Sequence, residues 1–212
     1  MAITFPRELP FMPNVESTFE LDPGTAVARH ARGLAGTTSR VREPLWTVRF
    51  ATEPLTIADK AAWQAWYNSL GGGLKLFLGW DVTRHQPLAY PNGVPTIIAG
   101  TWDGTASVTS LATPGQIAVT GAPAAFALRP GDRVGLVESG RYGFFEVAEA
   151  ATANGSGAMA IPIQPLVQPL FTAAATAVLH RPRCKMMVMA GTFSCPGVGG
   201  LAPVSFQASQ VL

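Results

Sequence analysis

The feature that most limits what this chain can fold into is a two-residue rhythm. In "VESTFEL", Val15, Ser17, Phe19 and Leu21 fall on one side and Glu16, Thr18 and Glu20 on the other, as in a strand with one wet face. "WTVRF" repeats the pattern with Trp46, Val48 and Phe50 against Thr47 and Arg49. "APVSFQASQVL" does so again, setting Val204, Phe206 and Ala208 against Ser205, Gln207 and Ser209. "LKLFLGW" places Leu74, Leu76, Leu78 and Trp80 together.

From residue 97 to residue 180 the rhythm shortens, with Gly, Pro and Ala between the pieces "TASVTSL", "QIAVTG", "DRVGLVE", "YGFFEVAEA", "AMAIPIQ" and "TAVLH". "GLVESGRYGFFEV" reads as a hairpin turning near Ser139 and Gly140, and "TANGSGAM" as another turn. Short strands at such spacing predict a small barrel or sandwich.

One stretch breaks the strand pattern. In "IADKAAWQAWYNSLGGG", Trp63, Trp66, Tyr67 and Leu70 recur at i, i+3, i+4 and i+7, while Lys60, Gln64 and Asn68 line the other side, which predicts an amphipathic helix over 57–70. Thr56 is its expected N-cap, with Asp59 three positions on, and Gly71 its expected C′ residue. A glycine run followed by Lys75 suggests a phosphate cradle at first sight. In such loops, however, the glycines precede a helix, whose N-terminal amides face the anion. Here they follow it, so the run reads as a corner into the next strand.

Charged residues make up only 13% of the 212, about half the usual share, so a good part of the surface is expected to meet other protein. The net charge of +2 is too small to advertise nucleic acid or an anionic membrane. Its distribution separates the middle from the ends: nine basic and eight acidic side chains in 1–95, three and five in 96–180, three and none in 181–212. Residues 150–180 lack Asp, Glu, Lys and Arg, but Pro162, Pro165 and Pro169 argue against a membrane span. The N-terminus shows no signal-peptide pattern. Cys184 and Cys195 fit no zinc spacing. They read as free thiols of a chain folded in the cytoplasm, with pairing across a hairpin as the alternative.

A search for chemistry assembles no constellation. His30, His85 and His180 are far apart, and Asp81 with His85 is the nearest acid and imidazole pair. No GxSxG elbow is present. Glu138, Glu146 and Glu149 read as a solvated strand face rather than as a glycosidase pair. Arg29, Arg32, Arg40 and Arg42 in "RHARGLAGTTSRVR" form the best basic cluster, read as a loop that is solvated or contacts a neighbouring subunit or tube.

Taken together, "ITFPRELP", "PLWTVRFATEPLTIADKAAWQAWYNSLGGGLKLFLGWDVTRHQPLAYP", "TASVTSLATPGQIAVTGAPAAFALRPGDRVGL", "GRYGFFEVAEAATANGSG" and "GTFSCPGVGGLAPVSFQASQVL" resemble the distal tail proteins of long-tailed bacteriophages. The resemblance spans almost the whole chain and rests on structural signatures rather than catalytic ones. It implies a mainly β protein: a belt-type β-barrel or sandwich carrying one helix, from residues 1–95 and 181–212, and an inserted peripheral β-barrel, OB-like or galectin-like, from 96–180. It further implies a virion protein of the tail tip, assembled in the bacterial cytoplasm, whose ring, usually a hexamer, joins tail tube to hub. Partners would be the tube protein, the hub or tip protein, and the tape-measure protein or fibres, with no enzyme activity, cofactor, metal, specific nucleic acid or membrane. The alternatives are a carbohydrate-binding tail module, with Trp102 and Tyr142 as candidate glycan contacts, and a wall-degrading hydrolase.

Overall fold

The computed structural model describes residues 3–10, 15–29, 36–197 and 200–211. In chain order the elements are β1 (Arg7–Glu8), β2 (Val15–Asp22), β3 (Thr25–Arg29), β4 (Gly36–Arg40), β5 (Leu45–Thr52), α1 (Ile57–Ser69), β6 (Phe77–Gly79), α2 (Pro95–Ile98), β7 (Thr105–Ser110) and β8 (Gln116–Thr120). They continue as β9 (Ala127–Leu128), β10 (Arg133–Glu138), β11 (Arg141–Val147), β12 (Ala151–Thr152), β13 (Met159–Gln164), β14 (Thr176–Val178), β15 (Cys184–Val188) and β16 (Ser205–Gln210). The fold is mainly β and includes one closed barrel. Two compact units result: one of residues 10–76 and 186–211, the other of 1–9, 77–185 and 212.

In the first unit, the alternating stretches form an antiparallel sheet in the order β15-β16-β5-β2. Register sets apolar residues side by side, Phe206 against Phe50 and Phe19 against Val48. Trp46, Val48, Phe50, Val204, Phe206 and Ala208 are all buried, as the alternation predicts. Helix α1 lies over that apolar face. Its Trp63 and Trp66 rings stand 6.0 and 5.6 Å from the Phe206 ring and 5.6 Å from each other, and Phe206 is 5.0 Å from Phe50. Trp63, Trp66 and Leu70 are buried. Tyr67 is half-buried and stacks flat on Phe193 at 3.9 Å. Buried aromatic area of this size dominates the energetics of so small a core.

The helix ends are set by the residues that predicted them. The Asp59 amide donates to Thr56 Oγ1 at 3.3 Å, and the Thr56 hydroxyl donates to the Asp59 carboxylate at 2.7 Å. Gly71, Gly72 and Gly73 all have positive φ, at 62, 69 and 102°, a region open to Gly at little cost.

Two details differ from the sequence reading. Lys60 is buried, with its Nζ donating to the Gly200 carbonyl at 2.9 Å, because its long stem reaches over the helix flank to a carbonyl partner. The strand after the glycines begins only at Phe77. The three left-handed residues bring the Lys75 amide back to the Leu70 carbonyl, so the chain is still turning at Leu74, which is 89% exposed.

A Cβ on Gly73 would sit 2.6 Å from the Val188 carbonyl oxygen. Gly73→Ala therefore combines a disfavoured φ with a backbone clash, and is expected to lower stability by about 1–3 kcal/mol, measured by denaturant unfolding.

The second unit is the barrel β10-β11-β13-β8-β7-β14, closed by β14 pairing with both β10 and β7. Ile117, Val119, Val134, Leu136, Val147, Ile161 and Ala177 are among its buried residues. The β10–β11 turn falls at Ser139 and Gly140, with φ of 48 and 77°, the mirror-image geometry that matches strand twist. In "TANGSGAM", Asn154 Oδ1 accepts from the Ser156 and Ala158 amides. β9 pairs with β12.

Residues 1–9, 77–95 and 181–185 belong to this barrel unit, so the divisions fall at 9/10, 76/77 and 185/186 rather than at 95/96 and 180/181 alone. Side chains explain the difference. Tyr90 Oη accepts from the Ala127 amide at 2.9 Å and its ring stacks on Phe126 at 5.5 Å. The Leu88 amide donates to Asp132, and the Arg181 amide donates to the His85 carbonyl.

Candidate functional site

Two features of the sheet unit present chemistry outward, a polar groove and a basic arm. With the odd positions of β2 and the even positions of β5 turned to the core, the opposite face carries Glu16, Thr18 and Glu20 beside Thr47 and Arg49, then Gln207. Arg49 is opposite Thr18 on one side and Gln207 on the other, and Glu20 is opposite Thr47. Between these side chains lies a concavity of about 370 Å³, lined by Thr18, Glu20, Thr47, Val48, Arg49, Met189 and Gln207. Met189 is 40% exposed.

The arm continues β2 into β3 and returns through β4 into β5, with β3 and β4 paired from Thr25↔Arg40 to Arg29↔Gly36. Its base is fixed. The Val41 and Arg42 amides donate to the Gly24 carbonyl, the Gly24 amide donates to Asp22 Oδ1, and the Arg42 guanidinium pairs with the Asp22 carboxylate. Of the four arginines read as an interface, Arg29 lies in β3, Arg40 ends β4 and is exposed, and Arg42 is exposed at the base. Arg32, like His30, lies outside the described residues.

In the barrel unit, the densest charge cluster is one that sequence reasoning missed. Asp81 and Arg133 are each 1% exposed at the side chain, and the Arg133 Nε–H donates to Asp81 Oδ2 at 3.1 Å. Arg84 Nε donates to the same oxygen at 3.1 Å, and Arg133 Nη1 meets Glu146 Oε2 at 2.5 Å. Burial pushes the Asp81 carboxyl up, but the Thr83 hydroxyl and the Arg133 and Arg84 guanidiniums outweigh it and hold it below its ordinary value. Burial lowers Arg133. Asp132 moves the other way, raised by burial although the Arg129 and Leu88 amides donate to it. With carboxylates and guanidiniums balanced, the cluster joins residues 81–84 to the barrel. The signal in sequence was an Arg inside the apolar run "DRVGLV", which demands a buried counter-charge.

The remaining candidates disperse. Asp81 is engaged by arginine, while His85 Nδ1 lies 2.8 Å from the Val82 carbonyl. Burial, then Arg181 and His85, lowers His180. Glu138 accepts from the Thr172 amide and hydroxyl, whereas Glu146 faces Arg133. Trp102 is half-buried, edge-on to Phe126 at 4.9 Å, with its indole N–H donating to the Thr105 carbonyl. Tyr142 is half-buried, with Lys185 Nζ 6.0 Å from its ring centre. Both cysteines are free thiols, which removes the hairpin disulfide, and burial raises Cys184.

Among the described residues no helix is long and apolar enough to cross a membrane. Neither a protein-family model nor a curated protein sequence matches the chain.

Proposed function

We propose that this chain is a structural virion protein, a distal tail ring subunit that joins the tail tube of a long-tailed phage to its hub or tail tip. The observation that carries the reading is the separation of charge within the sheet unit. Residues 23–42 hold four arginines and no carboxylate, while the rest of that unit holds six carboxylates and three cations. A basic arm and exposed carboxylates elsewhere on the same subunit favour a heterologous contact, which repeats from copy to copy and closes into a ring when the rotation allows. The low overall charge suits a subunit surrounded by neighbours.

In this reading the ring, a hexamer, meets the tube protein on one face and the hub on the other, and leaves a lumen for DNA or the tape-measure protein. The role is mechanical and needs neither catalytic group nor cofactor. The protein would be assembled in the host cytoplasm and end in the virion. Light scattering of the purified protein, with images of the same sample, is expected to give ring-shaped particles of hexamer mass. A monomer at every concentration, never found on tails, sinks the proposal.

A further inference from the structure

We infer that Asn154 is a self-modifying site: its turn promotes attack of the Gly155 nitrogen on the Asn154 side-chain carbonyl, which converts Asn154 to an acidic residue in the folded protein. Asn is followed by Gly at two places, 92–93 and 154–155. A glycine nitrogen has no Cβ beside it to hinder its approach, so both pairs carry a nucleophile next to an electrophile. The fold treats the two pairs differently.

At 92–93 the nucleophile is engaged. The Gly93 amide donates to the Tyr90 carbonyl at 2.9 Å, and Tyr90 is itself fixed by its stack on Phe126 and its bond from the Ala127 amide. At 154–155 the electrophile is the group that is held. Asn154 Oδ1 accepts from the Ser156 amide at 3.0 Å, the Ser156 hydroxyl at 2.8 Å and the Ala158 amide at 3.0 Å. Donors gathered on one carbonyl oxygen stabilise the negative charge that develops there when the carbonyl carbon is attacked. Among the described residues the Gly155 amide donates to no acceptor, and a Cβ at Gly155 would meet nothing within 4 Å. Asn154, Gly155 and Ser156 are all exposed, so water reaches each step.

The Gly155 nitrogen gives its proton to water or hydroxide and bonds to Asn154 Cγ. Oδ1 carries the charge against its three donors, and the Cγ–Nδ2 bond breaks to release ammonia. Water then opens the cyclic imide at either carbonyl, giving Asp, or isoaspartate with the backbone running through the side-chain carbon. Residues 150–180 otherwise hold no Asp, Glu, Lys or Arg, so the reaction places the first charge in that stretch. Asp keeps the same donors, now charge-assisted. Isoaspartate lengthens the backbone where the Asn154 amide donates to the Ala158 carbonyl and the Asn154 carbonyl accepts from the Gly157 amide, which disturbs the connection between β12 and β13. An aged barrel unit thus differs in charge from a new one, whether or not the chain forms a ring.

The test is peptide mass spectrometry of the full-length protein after incubation at mildly alkaline pH, folded and in denaturant. In denaturant the two Asn–Gly pairs are expected to lose ammonia at similar rates. In the folded protein Asn154 is expected to react about tenfold or more faster than Asn92. Ser156→Ala should slow it about fivefold, the share of one hydrogen bond, and Gly155→Ala, which the open space there admits, should stop it over the same period. Folded Asn92 reacting as fast as Asn154, Asn154 reacting more slowly folded than in denaturant, or Ser156→Ala reacting at the wild-type rate each overturns the inference. Undiminished conversion in Gly155→Ala does so too, because water would then be the nucleophile.

Discussion

Asp81→Asn is expected to destabilise the barrel unit by about 3–5 kcal/mol, the cost of leaving a buried charge uncompensated. The substitution is nearly isosteric, so packing is preserved and the loss is electrostatic. Arg133, 1% exposed, loses the carboxylate it donates to and keeps Glu146, which is 23% exposed. Arg84 loses the same partner.

Acid should act on wild type in the same way. The folded Asp81 pKa lies below its unfolded value near 3.8. Its contribution is therefore fully present above the unfolded value, and is lost as pH falls through the folded one. Denaturant unfolding between pH 7 and pH 3 should show wild type losing stability at the acid end and Asp81→Asn losing less over the same range. If Asp81→Asn matches wild type at pH 7 within about 1 kcal/mol, the cluster is not what joins residues 81–84 to the barrel. Asp81→Asn with Arg133→Met should recover part of the loss, since removing both charges leaves neither stranded.

Trp63→Ala is the matching experiment in the sheet unit, with an expected cost of about 3–5 kcal/mol. Trp63 is fully buried between Trp66 and Phe206, and no neighbour is positioned to fill a void of indole size without leaving its own place on the sheet. Because ordinary domains are stable by only about 5–15 kcal/mol, this loss is a large share of what holds the unit folded. Trp66→Ala should cost nearly as much. The double variant should fall short of the sum by about 0.5–1.5 kcal/mol, the share that belongs to the ring pair itself. A Trp63→Ala protein as stable as wild type would mean that the core of this unit is not where Phe50, Phe206 and the two indoles meet.

The sheet, the helix with both its caps and the β10–β11 turn were legible because each is specified by residues close in sequence. Alternation over "VESTFEL" or "WTVRF" needs no knowledge of the partner strand, and Thr56 with Asp59, or Gly71 after Leu70, is a complete local instruction. What escaped depends on pairs far apart in the chain. Asp81 and Arg133 are 52 positions apart, and Lys60 finds Gly200 across 140; Lys60 on a helix flank looks solvated until the distant group is known, and Arg133 in its apolar run calls for a counter-charge without saying which. The unit boundary shifted for the same reason, since Tyr90 and Leu88 show their attachment to the barrel only through Ala127 and Asp132. Leu74 was misplaced by phase, because three left-handed residues in a row reset where the strand begins. Of the candidate site, the arginines were visible as composition. The groove was not, because it exists only once β2, β5 and β16 lie side by side.

The Arg181 amide bonded to the His85 carbonyl also has a kinetic meaning. The sheet unit must pair Phe206 with Phe50 across an intervening stretch of about 155 residues, and closing so long a loop is entropically slow. Once the barrel unit has formed, residues 85 and 181 are pinned together and the open part of that loop shrinks to about 60 residues, between one and two halvings worth about 1 kcal/mol. The barrel thus acts as a clamp that, once shut, eases the closing of the sheet.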